Sequence, residues 1–175
     1  MSRLGNALRG TAATMLTGGL ALAGAPIVSA DPANTGNPAD TNTLAASLSK
    51  GYGLNNCTAQ NISSGELASL TCGQSPDPAG PVQAKYILFS SADNLAGSFK
   101  ASIKDDVLTA CGDNGQSPTT WHQGSSTTSS GSVACGTYQN GAEIIWTSDA
   151  KNILSYIRAS NTDVPSLYQW WRANG

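Results

Sequence analysis

Apolar and polar positions fall along this chain in blocks that predict a mixed fold. The strongest block is Val82 to Phe89, where Tyr86-Ile-Leu-Phe89 is apolar at consecutive positions. A strand wetted on one face would alternate, so this one is predicted to be central and covered on at least part of both faces. Glu66 to Cys72 does alternate, with Ala68, Leu70 and Cys72 pointing one way, and predicts a second strand. After Phe89 the period changes. Leu95, Phe99 and Ile103 recur every fourth residue, the stripe of a helix capped by Ser90 or Ser91, with Lys100 and Lys104 on its wet flank. Asp105-Asp106 close that helix as capping or solvated carboxylates. Thr119 to His122 reads as a short strand, and the Ser/Thr/Gly run from Gly124 to Ser132 as a flexible loop.

Val133 to Thr147 predicts a hairpin about Asn140-Gly141, the preferred pair for a type I′ turn. Counting outward places Thr137 opposite Ile144 and Cys135 opposite Trp146. One face then carries Val133, Cys135, Ile144 and Trp146. Further on, Ala150, Ile153, Leu154, Tyr156 and Ile157 share a helical arc of roughly 160°, with Lys151, Ser155 and Arg158 opposite, and predict a helix. A last helix begins at Thr162 or Asp163, has Pro165 in its first turn, and gathers Val164, Leu167, Tyr168, Trp170 and Trp171. Near the other end, Thr41 is the expected cap of a short helix with Leu44, Ala45 and Leu48 on one face and Gly51 at its end. The proline-rich run Gln74 to Pro81 fits neither element and reads as a rigid loop. The order of these elements implies one α+β domain over residues 41–175, an antiparallel sheet packed by helices.

The segment ahead of that domain sets its address. Arg3 and Arg9 precede an apolar and small-residue stretch from Met15 to Val28, which closes on Val28-Ser29-Ala30, a small-x-small cleavage pattern. Gly18, Gly19, Gly24 and Pro26 interrupt it, and it falls short of the roughly 20 apolar residues of a spanning helix. Residues 1–30 are therefore predicted to be a cleaved signal peptide, and residues 31–40, with two prolines and nothing apolar larger than Ala, a disordered leader. The product is expected to be secreted, with no stable membrane anchor. Without Arg3 and Arg9 the chain keeps eleven acids against seven bases, a net charge of −4. No basic cluster is present, so nucleic acid and anionic membrane are poor partners.

Four cysteines, Cys57, Cys72, Cys111 and Cys135, read as two disulfides in an exported chain. Three pairings are possible, and Cys57–Cys72 with Cys111–Cys135 is favoured because each closes a local loop. Trp146 is expected to pack on the second. Zinc is disfavoured by the lack of Cys-x-x-Cys and the single histidine, and nothing calls for a cofactor.

His122, the one imidazole, is the only possible basis for a histidine mechanism, but there is no Gly-x-Ser-x-Gly elbow to accompany it. The aromatic residues carry more weight. Trp146 and the Tyr168 to Trp171 group lie on faces that must be buried. Trp121 and Tyr138 are less committed, and with His122 beside the Ser/Thr loop they form the candidate ligand groove. Asn56-Cys57-Thr58 and Asn61-Ile62-Ser63 match the glycosylation tripeptide as chance occurrences.

Several short motifs also fall in a familiar order: Gly51-Tyr52 ahead of Cys57, Leu70-Thr-Cys72-Gly73, Asp77-Pro78-Ala-Gly-Pro81, Tyr86-Ile-Leu-Phe89, Trp121, Cys135-Gly136-Thr-Tyr138, Trp146-Thr147 and Tyr168-Gln-Trp170-Trp171. In these the chain resembles small exported proteins of mycobacteria and related actinobacteria, and the extracellular C-terminal, sensor-like region of some actinobacterial serine/threonine protein kinases. The kinase motifs themselves are missing, with no Gly-rich loop, His-Arg-Asp or Asp-Phe-Gly. The resemblance implies extracytoplasmic ligand or partner binding and transfers no binding residues. The expectation is a secreted, disulfide-stabilised, non-catalytic module for a small envelope ligand. The alternatives are a protein acting by protein–protein contact and, behind it, a hydrolase resting on His122 or on carboxylates.

Overall fold

Residues 33–175 are described in the computed structural model; the predicted signal peptide and the first two leader residues lie outside them. The first element is a helix, α1 (Pro38–Ala45). It begins earlier than the pattern suggests. Asn37, not Thr41, is the cap, its side chain accepting from Ala39 N–H, and Pro38 occupies the first turn, where its missing N–H costs nothing. The last residues of the expected leader are thus helical, and Leu44 is fully buried.

The strands are β1 (Cys57–Ala59), β2 (Glu66–Cys72), β3 (Gln83–Phe89), β4 (Val107–Thr109), β5 (Thr119–Trp121), β6 (Gly131–Tyr138), β7 (Gly141–Ser148) and β8 (Ile153–Arg158). They form one antiparallel sheet in the order β1-β2-β3-β8-β7-β6-β4, with β5 also paired to β6. β4 meets β6 at residues 135–137 and β5 meets it at 131–133, so the two short strands lie end to end along the same edge. Helix α2 (Ala92–Ser102), capped by the Ser91 side chain, and helix α3 (Val164–Asn174), capped by Asp163, complete the domain.

β8 corrects the sequence reading, which made this segment a helix. Ile153-Leu-Ser-Tyr-Ile-Arg158 is apolar on both of its alternating faces, as a strand between two others must be. A six-residue run with apolar groups all round satisfies both periods, and its neighbours β3 and β7 decide between them. The hairpin is also corrected. Cys135 faces Ile144 and Val133 faces Trp146, two residues from the counted register. The residues with positive φ are Gln139 (46°) and Asn140 (62°), so they form the turn and Gly141 is the first residue of β7. Gly141 is needed there because a Cβ would stand 2.6 Å from Arg158 Nε and 2.8 Å from the Ala159 carbonyl oxygen. A slip of two preserves the face of every side chain, so the expected apolar face survives.

Helices cover the sheet unequally. One face carries Leu70, Tyr86, Cys135, Ile144, Trp146 and Ile157 and is sealed by α1 and α3. Trp171 of α3 stands edge-on to Trp146 (ring centroids 5.9 Å apart) and Trp121 (5.7 Å), and Trp146 is edge-on to Tyr86 (6.3 Å). Trp170 Nε1 donates to Asp77 of the proline-rich loop at 2.9 Å, tying that loop to α3. The other face carries Ile87, Phe89, Ala134, Ile145 and Leu154, and among the described helices only α2, through Leu95 and Phe99, lies over it.

The disulfides are Cys57–Cys72 and Cys111–Cys135. The first joins directly opposed residues of β1 and β2. The second ties the loop after β4 to the middle of β6, in the same buried cluster as Trp146. With a sequence separation of 24 between its cysteines, it restricts the unfolded chain by about 3.5 kcal/mol on the chain-entropy model.

The hairpin register is testable. Gln139→Gly relieves a positive φ in the observed turn and is expected to raise the melting temperature by a few degrees. A fall would return the turn to Asn140-Gly141, where residue 139 belongs to a strand that glycine weakens.

Candidate functional site

The expected groove residues do not converge. Trp121 ends β5 and pairs with Gly131, whereas Tyr138 ends β6 beside the hairpin turn. The two are separated by roughly 23 Å along the strand. Tyr138 belongs to a clamp: Arg158 donates to the carbonyl oxygens of Tyr138 (2.8 Å) and Gln139 (3.0 Å) and lies 5.5 Å from the Tyr138 ring centroid. Its aromatic face is occupied by its own protein.

Trp121 and His122 do share a groove. It measures about 520 Å³ and runs between the end of β5 and α3, with Arg172 on its far side. The Trp121 indole is committed, however, donating from Nε1 to the Thr147 carbonyl oxygen at 2.8 Å and standing edge-on to Trp171. Trp171 and Tyr168 also line this groove but are 4% and 3% exposed. The groove is therefore polar in character, with exposed His122 and Arg172 as its prominent groups.

A larger groove, about 760 Å³, lies across β5 on the other face of the sheet. Helix α2, through Leu95, Ala96 and Phe99, and Ile103 just past its end supply one wall, and β5 supplies the other through Thr119 and Thr120. Two features create it. α2 turns the small residues Ala92 and Ala96 toward the opening, and Thr147 and Ser132 keep the floor low. That floor is rigid: the Thr147 hydroxyl accepts from Ser132 N–H at 2.8 Å and donates to Asp149 at 2.6 Å. A concave surface of this size, mainly apolar with a few fixed polar groups, has the build of a small-ligand or side-chain pocket.

The sheet face under α2 also carries a carboxyl group that pattern reading passed over. Gln83, Arg158 and Glu143 lie side by side on β3, β8 and β7. They line a cavity of about 160 Å³ with Lys85 and Tyr156. Burial pushes the Glu143 pKa up from 4.5 to about 7, the nearby Asp106 carboxylate adds to the rise, and Arg158 opposes it. Asp106 is raised as well, first by burial and then by Asp105. Asp105 is exposed, as a solvated helix end is, whereas Asp106 is half-buried. The Tyr156 hydroxyl, hydrogen-bonded to Ser102 Oγ at the end of α2, is likewise raised by burial. Glu143 and Tyr156, which line this cavity, and Asp106, whose charge acts on both, hold protons better than they would in water.

Among the described residues no group of three or more His, Cys, Asp or Glu is placed to hold a metal ion, and no helix is long and apolar enough to cross a membrane. No protein-family profile, curated protein or solved structure matches this chain.

Glu143 makes a signed prediction. Its folded pKa lies above the unfolded value, so the folded state binds the proton more tightly. Stability from this group is fully present below pH 4.5 and is lost as pH rises through about 7. Glu143→Gln is expected to melt several degrees higher than the parent at pH 8 and within a degree or so of it at pH 4. Parallel melting curves across that range would show that the carboxyl group is not buried in this way.

Proposed function

We propose that this is an exported binding module without catalytic activity, and that its ligand occupies the groove between α2 and β5. The observation that carries the reading is the 760 Å³ groove itself, open along the apolar stripe of α2, with Asp93 and Lys100 at its rim. Leu95 and Phe99 belong to its α2 wall while remaining 3% and 7% exposed. The two disulfides support an oxidising compartment. The signal-like first thirty residues, and the resemblance of the motif order to that of exported actinobacterial proteins, argue for the same address. His122 is solvent-exposed, which favours binding over a histidine mechanism, where the imidazole is held in place by partners.

An anilinonaphthalene sulfonate dye tests the groove directly. Ala96 is exposed on α2 and lines the opening, so Ala96→Trp fills the groove without entering the core. The disulfide-intact protein is expected to bind the dye, and Ala96→Trp to weaken binding by about tenfold or more with an unchanged melting temperature. Equal binding by parent and variant would place the apolar site elsewhere and remove this reading.

A further inference from the structure

The two grooves are not independent. Both include Thr119 and Thr120, and they lie on opposite faces of the sheet, meeting at the outer edge of β5. We propose, resting on the groove reading above, that this edge binds an extended peptide segment of a partner protein, which adds to the sheet as a strand beside β5.

Backbone direction supplies the first support. The Trp121 carbonyl oxygen accepts from Ser130 N–H, so the main-chain groups of Trp121 point toward β6. Directions alternate along an antiparallel strand, and those of Thr120 therefore point away from β6. Among the described residues β5 pairs in the sheet with β6 alone, and Thr120 is exposed. Its N–H and C=O are placed to exchange two hydrogen bonds with one residue of an added strand. The edge is only three residues long and follows Pro118, which limits uncontrolled pairing with other chains.

Side-chain alternation supplies the second. In an added strand the residue opposite Thr120 shares its face and enters the α2 groove, beside Leu95, Ala96 and Phe99. The residues before and after it share the face of Thr119 and Trp121, and enter the groove that holds His122 and Arg172. Successive side chains of a peptide fall on opposite faces without bending, as the grooves do. A single alkyl chain would have to wrap around the strand to use both. Chemistry then fixes the motif. The central residue is apolar, and its neighbours are acidic, because Arg172 lines the second groove and, among the described residues, no Asp or Glu does.

The probe is the acetylated, amidated peptide Ser-Asp-Leu-Asp-Ser, with Val, Ile, Met and Phe in place of Leu as companions. Titration followed by amide NMR is expected to show binding, with the Thr120 N–H among the most shifted signals and slowed in hydrogen exchange. Methylating the Leu nitrogen removes the donor to the Thr120 carbonyl and should weaken binding about tenfold. Arg172→Glu should reverse the preference toward Ser-Lys-Leu-Lys-Ser. Equal binding of the N-methylated peptide, or no binding by any of the five at millimolar concentration, would overturn the proposal. If octanol alone matched the peptide while Ala96→Trp still blocked the dye, the groove would serve a small apolar ligand, and the strand-addition proposal alone would fail.

Discussion

The segment between β4 and β5 is held to β6 at two points, and the binding surface depends on that anchorage. Near its start, Cys111 is bonded to Cys135 in the middle of β6. Near its end, the buried Ser117 hydroxyl accepts from the Cys135 N–H at 2.7 Å. Both attachments converge on one residue of β6. They make β4 and β5 continue one another along a single edge, although a loop without long regular structure separates them. A three-residue strand has little pairing energy of its own, so a covalent tie to its partner supplies what its length cannot. Without it β5 has no fixed position, and neither groove has its second wall.

The unequal covering of the sheet sets what those grooves contain. Beneath α1 and α3 the core is closed by large side chains, with Tyr86, Trp146 and Trp171 meeting edge to face, a favoured aromatic geometry. On the opposite face one eleven-residue helix must cover strands that extend beyond it. Leu95 and Phe99 seal the part they reach. The remainder is divided between the open groove toward β5 and the small cavity holding Glu143 and Arg158. Surface left by incomplete covering is where ligands and unpaired ionisable groups can be accommodated.

Much of the architecture is legible in the residues. The central position of β3, the face of α2, the buried helix α3 and both disulfides follow from local periodicity and cysteine spacing. β8 is not legible in this way, because Ile153-Leu-Ser-Tyr-Ile satisfies helical and extended periods equally and only the flanking strands resolve it. The turn lies one residue ahead of Asn140-Gly141, the strong local signal. The close approach of Arg158 to Gly141, eighteen places from the hairpin tip in sequence, overrides it. The site was harder still. Trp121 and His122 do fall in a groove, but Tyr138 stands at the other end of β6. That distance depends on strand length and register, and composition carries neither. Ala92 and Ala96 are a faint sign of a loosely covered helix face. Nothing local shows that Thr119 and Thr120 lie across from them.

The anchorage at Cys135 is the claim on which the rest stands, and amide hydrogen exchange of a Cys111→Ala/Cys135→Ala variant tests it most directly. The Thr119 and Trp121 amides are expected to lose their protection, while those of β3, β7 and β8 stay slow. Unchanged protection in β5 would contradict the account, because it would show that the strand holds its place on β6 without the disulfide.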